Sequence, residues 1–119
     1  MTVDVARRYC QAIDECDWVT ARTLLDPDVE IVRPSGRHYG GADRWIQLLS
    51  DSQGFDNIVS EVTGRAYEQR NGEVVEVKEL VHRWRDDGQL AYTSREHTTI
   101  GFRNGLIARM DSTVEHKHA

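Results

Sequence analysis

The stretch from Glu73 to Glu115 constrains the fold of this 119-residue chain more than any other part of it. Val, Ile, Thr, Tyr, Phe and Trp are frequent along it, and it is interrupted at two turn sequences, Asp86-Asp87-Gly88 and Arg103-Asn104-Gly105. β-Branched and aromatic residues favour strands, while Asp-Gly and Asn-Gly between such runs indicate hairpins. The stretch therefore predicts three long strands in a bent antiparallel sheet, with the rest of the chain covering one face.

The buried face of this sheet follows from the alternation of side chains, because successive residues of a strand point to opposite faces. In the last of the three strands, most apolar residues have even numbers and share their face with one serine (Leu106, Ala108, Met110, Ser112 and Val114), whereas Ile107 is the one apolar residue on the odd-numbered face. In the middle strand, the even-numbered face combines large apolar residues with polar groups (Tyr92, Ser94, Glu96, Thr98, Ile100 and Phe102). Both strands predict that the even-numbered side chains point inward.

The first of the three strands has apolar residues on both faces. Leu80 and Trp84 share the even-numbered face with Lys78 and His82. The opposite face carries three valines (Val75, Val77 and Val81). We expect the even-numbered face to be the inner one here too, which places His82 near Tyr92. The apolar residues left outside indicate that the outer face meets a neighbour, and we predict a homodimer through that face.

The turn at Arg103-Asn104-Gly105 leaves two registers open for the last strand. A three-residue loop with Gly105 in a left-handed bulge makes Phe102 oppose Leu106, so that all apolar residues fall on one side. A two-residue type I′ turn makes Phe102 oppose Ile107 instead, and Asp111 then replaces Ser112 on the inner face. We favour the bulge because it keeps the two buried sets together.

Length and composition limit the kind of protein. A chain of 119 residues predicts a single domain, residues 1–119, that can bury a substantial core. The net charge of −5 is spread without a basic patch, and no apolar run reaches membrane-spanning length, so we expect neither a nucleic acid nor a membrane as partner. Cys10 and Cys16 form neither a disulfide framework nor a metal motif. We predict a cytoplasmic protein without a metal or other cofactor.

The segments before this stretch predict helices and short strands. A helix from Thr2 to about Asp14 has an apolar stripe that includes Tyr9, and Asp17 is placed to cap a second helix. The predicted elements are helices Thr2–Asp14, Trp18–Leu25 and Ala42–Leu49, strands Val29–Arg33 and Asn57–Tyr67, and turns at Asp26-Pro27-Asp28, near Gly54 and at Asn71-Gly72. This order is typical of an α+β fold whose helices pack on one face of an antiparallel sheet. A strongly curved sheet covered in this way encloses a cavity for a small ligand.

Three segments carry a resemblance to a known superfamily: RRYCQAIDECDW (7–18), RHYGGADRWI (37–46) and FRNGLIARMDSTVE (102–115). Together with the order of the elements, they resemble the NTF2-like superfamily, and among its branches the SnoaL-like polyketide cyclases and the ketosteroid isomerases. The resemblance implies an NTF2-like cone, in which three N-terminal helices pack on a strongly curved antiparallel sheet. The shared motifs mark the fold more than the chemistry.

The resemblance also implies positions for functional groups. Ketosteroid isomerases have an oxyanion-stabilising tyrosine, and Tyr9 stands at that position. Their general-base aspartate falls near residues 31–32, where this chain has no carboxylate, and their second, protonated aspartate falls near Thr98. The catalytic aspartate of SnoaL-like cyclases lies on the final strand and falls at Ser112 or Asp111, depending on the turn.

We consider Tyr9, His82 and Glu96 candidates for catalysis. A carboxylate at Glu96 among apolar neighbours loses hydration, which favours its protonated form and suits a general acid or base. A salt bridge to Lys78, which a three-residue Asp86-Asp87-Gly88 loop places across the ladder, is the structural alternative. His82 is a candidate proton relay and Tyr9 a donor to a substrate oxygen, unless neighbouring protein groups satisfy them.

A second set of residues is expected to contact the ligand rather than to react. Its members are His38 at the cavity rim, the wall residues Trp84, Phe102 and Met110, and the hydroxyl-bearing Thr98 and Ser112. The three wall residues are plain core if the hollow between helices and sheet is filled. A surface position is the alternative for His38.

These residues lead to one main functional hypothesis and two alternatives. The main hypothesis is a cofactor-independent enzyme that transfers a proton on a small hydrophobic carbonyl- or epoxide-containing molecule, in a cyclisation, isomerisation or hydration. One alternative is a non-catalytic small-ligand-binding or dimerisation module of the same fold. The other is an activity like that of epoxide hydrolases, with a water molecule held by Glu96, Ser94 and Thr98.

Overall fold

A computed structural model of the chain describes residues 2–52, 58–71, 73–85 and 87–117, and the side chains of residues 52, 58–60, 116 and 117 are not part of that description. Among these residues there are three helices and six strands. They are α1 (Thr2–Asp14), α2 (Trp18–Thr23), β1 (Leu25–Val32), β2 (His38–Gly40), α3 (Ala42–Ser52), β3 (Ile58–Arg70), β4 (Val74–Arg85), β5 (Leu90–Arg103) and β6 (Leu106–Lys117). The three long strands predicted between Glu73 and Glu115 are confirmed as β4, β5 and β6. Predictions that involve Gly54, Asn57, Gly72 and Asp86 fall partly or wholly outside the described residues.

The two N-terminal helices form where the sequence predicts them. The buried side chains of α1 include Ala6, Tyr9 and Ala12, which are three residues apart and therefore share one face. The carboxylate of Asp17 accepts a hydrogen bond of 3.1 Å from the backbone N–H of Thr20 and caps α2. This helix ends at Thr23, and the chain continues directly into β1 at Leu25, earlier than the predicted start at Val29.

The sheet formed by the described residues is mixed, with the strand order β2-β1-β6-β5-β4-β3. β1 runs parallel to β6, whereas the other neighbours are antiparallel, so the prediction of a purely antiparallel sheet is wrong. The pairing of β1 with β6 is irregular between Leu25 and Glu30, where the Asp26-Pro27-Asp28 sequence interrupts the ladder. The third helix follows β2 rather than preceding the sheet, so only α1 and α2 are N-terminal to every strand.

A short strand that the sequence did not predict, β2, positions α3. β2 pairs with the end of β1, with His38 opposite Val32. Gly41 follows at a φ of 93°, and its N–H donates to the Val29 carbonyl at 2.9 Å. The Gly41 carbonyl in turn accepts from the Trp45 N–H at 3.1 Å, which begins α3 next to β1.

The β5–β6 hairpin has the two-residue turn rather than the favoured three-residue loop. Asn104 and Gly105 both have positive φ angles, 53° and 79°, as a type I′ turn requires, and Phe102 pairs with Ile107. A bulge at Ala108 then shifts the register by one residue, so that Gly101 pairs with Arg109. The bulge cancels the one-residue shift that the two-residue turn introduces, so the residues after Ala108 keep the inner face predicted for them.

A second bulge decides which face of β4 is inside. Trp84 pairs with Leu90, as a three-residue loop between β4 and β5 requires, but Arg83 pairs with Tyr92, which leaves Ala91 as the extra residue. All of β4 before this point is displaced by one position. Its odd-numbered side chains therefore share the inner face with the even-numbered ones of β5, and the prediction of an even-numbered inner face is wrong for β4.

The core lies between the helices and this inner face. It includes side chains from all three helices and from four strands (Ala6, Tyr9, Ala12, Ala21, Leu24, Leu25, Val29, Ile31, Ala42, Trp45, Val75, Val77, Ile100, Phe102, Ile107 and Met110). Val75, Val77 and Val81 of β4 are almost fully buried, whereas Leu80 is exposed on the other face. Burying these valines rather than Leu80 and Trp84 fixes the orientation of the strand.

Candidate active site

A cavity of about 270 Å³ lies between α1, α3 and the inner face of the sheet. Most of its wall is apolar, and charged groups are concentrated on the side of β3, β4 and β5. The residues that line it are Tyr9, Cys10, Ile13, Asp14, Ile31, Arg33, Trp45, Leu49, Val62, Arg65, Val77, Glu79, Val81, Arg83, Glu96, Thr98, Ile100, Met110 and Ser112. A concave, mainly apolar site with few polar groups is the usual form of a small-molecule site.

Residues paired across neighbouring strands form rows over the inner face of the sheet. One row is apolar (Ile31, Met110, Ile100 and Val75). The next carries hydroxyl groups as well as apolar side chains (Ser112, Thr98, Val77 and Tyr67), and the third carries charges (Glu96, Glu79 and Arg65). Along β4 and β5 the inner face therefore changes from apolar to charged over four residues, or roughly 13 Å.

Tyr9 lies on the cavity wall, where the sequence predicted it. It is 6% exposed, and its phenol oxygen accepts a hydrogen bond of 3.0 Å from the indole Nε1–H of Trp45. Burial raises the pKa of Tyr9 to about 12, while the Trp45 hydrogen bond and the nearby Arg33 act in the opposite direction. The phenol is therefore neutral at physiological pH and keeps its own hydrogen for donation.

Glu96 also lines the cavity, but its partner is not the predicted one. Its Oε2 forms an ion pair of 2.9 Å with the guanidinium of Arg83, and the two side chains are about a fifth and a quarter exposed. Lys78 pairs with His97 in the ladder, so the predicted salt bridge between Lys78 and Glu96 is wrong. The carboxylate therefore has a guanidinium partner, in contrast to the apolar surroundings expected from the sequence.

A second charged group joins α1 to the sheet. Arg65 of β3 bonds to both carboxylate oxygens of Asp14, at 2.8 and 3.1 Å, and to Glu79 of β4 at 3.1 Å. Asp14, ahead of the other neighbours, raises the pKa of the Arg65 guanidinium above its ordinary value. Glu79 is the ladder partner of Glu96, so the two carboxylates lie side by side on the inner face, each held by a different arginine.

Sequence reasoning missed Glu79, Arg65 and Arg83. The available signal was the alternation of three valines along β4, because a strand with Val75, Val77 and Val81 inside also has Glu79 and Arg83 inside. The apolar residues of the even-numbered face outweighed that signal in our prediction.

The residues predicted for ligand contacts divide into two groups. Thr98, Met110 and Ser112 line the cavity, and the hydroxyl groups of Thr98 and Ser112 share a hydrogen bond of 2.9 Å. Phe102 packs in the core and His38 is exposed in β2, and neither lines the cavity.

His82 and Trp84 lie on the outer face of the sheet, so their predicted inner placement is wrong. The Nδ1 atom of His82 is 2.8 Å from the hydroxyl of Thr93, an odd-numbered residue of β5, rather than near Tyr92. The His82 and Trp84 rings meet edge to face, with centroids 6.1 Å apart. The bulge at Ala91 is the physical reason, because it moves both side chains away from the helices.

Cys10 on the cavity wall and Tyr67 of β3 are two half-buried weak acids. Burial raises the pKa of the Cys10 thiol to about 11, and burial likewise raises the pKa of Tyr67 to about 12. The guanidinium of Arg7 lies 5.0 Å from the centre of the Tyr67 ring and covers it from the solvent side. Both acids are neutral at physiological pH.

Among the described residues, no group of three or more His, Cys, Asp or Glu side chains is arranged to hold a metal ion. No helix in the described part of the chain is long and apolar enough to cross a membrane.

Comparison with known proteins identifies the fold. No protein-family model matches the chain by sequence, and no curated protein does either. By structure, it is similar to a candidate polyketide cyclase from Xanthomonas campestris pv. campestris, with a TM-score of 0.79, 19% identity, and coverage of 94% of this chain and 88% of that one. It is also similar to an NTF2-like protein from Burkholderia xenovorans LB400, with a TM-score of 0.78, 12% identity, and coverage of 96% and 88%. The chain has the NTF2-like fold.

The same fold occurs in a LEH-like epoxide hydrolase from M. tuberculosis, with a TM-score of 0.75, 15% identity, and coverage of 96% of this chain and 82% of that one. Within this NTF2-like fold, the position implied for a base at residues 31–32 carries the buried, apolar Ile31 on the cavity wall. On the last strand it is Ser112 that faces the cavity, whereas Asp111 bonds to Arg109. The carboxylates of this NTF2-like cavity therefore come from other strands.

Proposed function

We propose that this NTF2-like chain is a cofactor-independent enzyme that transfers a proton on a small hydrophobic molecule with a carbonyl or epoxide group. The observation that carries the proposal is that Tyr9 and Glu96 line one cavity of about 270 Å³ whose remaining wall is mostly apolar. The reaction is a cyclisation, isomerisation or hydration. The named activities of proteins with the same fold, cyclase, isomerase and epoxide hydrolase, belong to this range.

Tyr9 would stabilise the oxygen on which negative charge develops. Its phenol accepts the Trp45 N–H and has one hydrogen left, and a pKa of about 12 keeps that hydrogen in place at neutral pH. A donor fixed in a site with little water stabilises a developing oxyanion without reorganisation. Trp45 supports this role because it holds the phenol oxygen in one position.

Glu96 would act as the base. Its carboxylate lines the cavity, is positioned by the ion pair with Arg83, and would accept a proton from a carbon next to a carbonyl or from a water molecule. The hydrogen-bonded pair Thr98 and Ser112 lies in the adjoining row and offers hydroxyl groups to a substrate oxygen or to that water. His82, which lies on the outer face, takes no part in the reaction.

A non-catalytic, ligand-binding module is the second candidate. It is favoured by one observation, that both carboxylates of the charged row are already held by arginines, Glu79 by Arg65 and Glu96 by Arg83. In that case the ion pairs serve to close the wall of the cavity, and a small molecule binds without reacting.

Turnover measurements on matched variants separate the two. We would test small unsaturated ketones and epoxides with the wild type, Tyr9→Phe, Glu96→Gln and the control His82→Asn. Loss of the oxyanion donor in Tyr9→Phe is expected to lower kcat about 100-fold, and Glu96→Gln is expected to lower it about 100-fold or more. His82→Asn, on the opposite face, should stay within about twofold of the wild type.

The outcomes are distinct. Wild-type rates in both cavity variants contradict the assigned roles. Binding of the same compounds without turnover by the wild type favours the binding module.

The proposal extends to the state of the protein in the cell. We propose a cytoplasmic homodimer that meets through the outer face of a strongly curved sheet, as the sequence predicts. Leu80, at 36% exposed, lies on that face together with Trp84 and supports it. A monomer at micromolar concentration in size-exclusion chromatography with light scattering would contradict the dimer.

A further inference from the structure

Among the described residues, three arginines line the cavity, and they differ in what they bind. Arg65 is bonded to Asp14 and Glu79, and Arg83 is paired with Glu96. Arg33 has no carboxylate within ion-pair distance in the described part of the chain. A guanidinium on the wall of a ligand cavity without an acidic partner is a candidate for binding an anionic group of the ligand.

The backbone around Arg33 holds its side chain in place. Arg33 follows the last residue of β1, and its N–H donates to the Arg37 carbonyl at 2.9 Å. The Gly36 N–H returns a bond of 2.8 Å to the Arg33 carbonyl, and Gly36 has a φ of 87°, which closes a tight turn. Arg33 therefore starts from a fixed backbone at the edge of the cavity.

The Trp45 ring covers one face of the Arg33 guanidinium and leaves its N–H groups accessible. Its central carbon lies 5.7 Å from the centre of the Trp45 ring, so one face of the planar group is covered by the indole. The N–H groups around its rim remain available, and their fork matches the two oxygens of a carboxylate. The same Trp45 donates to Tyr9, so the free guanidinium and the proposed oxyanion donor share one aromatic neighbour.

The distribution of charge gives a ligand one orientation. The wall carboxylates Asp14, Glu79 and Glu96 lie on α1, β4 and β5, whereas Arg33 adjoins β1. β6 separates β1 from β5, and two strand spacings amount to roughly 10 Å. On the far side, three carboxylates outnumber the two arginines bonded to them, so an anionic group is attracted to the β1 side. The influence of Arg33 on the pKa of Tyr9 agrees with its closeness to the phenol.

We infer that Arg33 binds a carboxylate of the substrate, so that the small hydrophobic molecule bound in this cavity carries a carboxylate in addition to its reactive group. The inference rests on the proposed function only in placing the ligand in the same cavity. The carboxylate pairs with Arg33, the apolar body contacts the row of Ile31, Met110 and Ile100, and the reactive end extends toward Glu96. No bond is made or broken at Arg33, which is a binding residue.

Binding of two isosteric molecules tests this without any turnover. Cinnamate and its neutral amide, cinnamamide, have nearly the same size and shape and differ in charge. Calorimetric titration of the full chain at pH 7 is expected to show tighter binding of cinnamate. In Arg33→Gln, the loss of a charge-assisted hydrogen bond should weaken cinnamate binding roughly 10- to 100-fold and leave cinnamamide unchanged. Arg33→Lys, which keeps the charge but loses the fork, should fall between them.

Arg37→Gln is the matched control, because it removes the same charge from an exposed residue four positions away that does not line the cavity. It should bind both compounds like the wild type, within about twofold. Thermal unfolding of each variant shows that the fold is retained. If Arg33→Gln unfolds, the comparison of Arg33→Lys with the wild type provides the same test.

Several results would overturn the inference. They are equal affinity of the wild type for cinnamate and cinnamamide, no measurable binding of cinnamate, or equal loss of cinnamate binding in Arg33→Gln and Arg37→Gln. Failure of the proposed reaction looks different, since it would leave selective, Arg33-dependent binding of cinnamate with no turnover. Conversely, turnover of neutral ketones with unselective binding would support the reaction and reject the carboxylate.

Discussion

The indole N–H of Trp45 and the phenol oxygen of Tyr9 are joined by a hydrogen bond of 3.0 Å, which connects α3 to α1 beside the cavity. Both residues are almost fully buried, so neither polar atom has water as a ready substitute. Trp45 also packs against Tyr39, with ring centres 5.6 Å apart, and against the guanidinium of Arg33. One indole thus positions two side chains to which we assign roles in the cavity.

Trp45→Phe is expected to lower the free energy of unfolding by about 1–3 kcal/mol, because it leaves the buried phenol oxygen without its donor. Urea denaturation measures the change. Trp84→Phe, on the outer face, is the control and should cost less than about 1 kcal/mol. The double variant Tyr9→Phe, Trp45→Phe should lose less free energy of unfolding than the two single variants lose together, since the two residues share one hydrogen bond. Strict additivity would contradict the coupling.

Arg65→Gln is expected to lower the free energy of unfolding by about 1–2 kcal/mol, because Asp14 and Glu79 lose their shared partner beside Glu96. The expected loss is below that of a fully buried pair, since the Asp14 side chain is 45% exposed and screened by water. The double variant Arg65→Gln, Glu79→Gln should regain part of the lost free energy of unfolding, because it no longer contains an unpaired Glu79. Arg70→Gln, which breaks a more exposed pair with Glu76, should cost clearly less than Arg65→Gln. Equal losses in the two arginine variants would show that the bridge to α1 has no special effect.

The buried thiol of Cys10 makes the stability fall with rising pH above about 9. Its pKa rises by burial from 9.0 to about 11, so the unfolded chain releases this proton while the folded chain still keeps it. The folded state binds more protons in that range, and the free energy of unfolding falls as pH increases from 9 to 11, by at most about 3 kcal/mol. Cys10→Ser removes this contribution and should make the fall less steep, while Tyr9 and Tyr67, whose pKa values rise from 10.0 to about 12, still contribute above about pH 10. Cys16→Ser, at an exposed position, should follow the wild type.

Gly105→Ala tests the β5–β6 turn. Gly105 has a φ of 79°, which costs an alanine about 1–2 kcal/mol. An added Cβ would meet no atom within 4 Å, so the loss comes from the backbone alone. Gly40→Ala in β2 has the same free space without a positive φ, and should be unchanged within about 0.5 kcal/mol. A three-residue loop would also require a positive φ at position 105, so Gly105→Ala does not distinguish the two turns. Asn104→Gly distinguishes them. It should be neutral or slightly stabilising only if Asn104 also has a positive φ.

Much of the architecture was predictable because its signals are local. The helix from Thr2 to Asp14, the Asp17 cap and the three long strands after Glu73 follow from periodicity, capping and turn residues that lie within a few positions of each other. The parallel pairing of β1 with β6 joins segments about 80 residues apart and has no such local signal. The short strand β2 was missed for a similar reason, since its three residues are held only by their pairing with β1.

The candidate site was predictable on β5, β6 and α1 and not on β4. Tyr9, Glu96, Thr98, Met110 and Ser112 all line the cavity, as their positions in the sequence predict. On β6 the favoured turn was wrong, yet the inner face was right, because the Ala108 bulge compensates for the two-residue turn. On β4 the predicted three-residue loop agrees with the pairing of Trp84 and Leu90. The predicted inner face was nevertheless wrong, because the Ala91 bulge shifts the register by one residue and no second irregularity shifts it back.

By itself, the sequence determined which segments form helices and strands and which side chains alternate together along each strand. Only the tertiary structure decided that Glu79, Arg65 and Arg83 face the cavity and that His82 faces away from it. The physical reason is that alternation has a period of two residues, so that one extra residue in a strand exchanges its two faces. Whether such a bulge forms depends on packing across the whole sheet, and a local stretch of sequence does not contain that information.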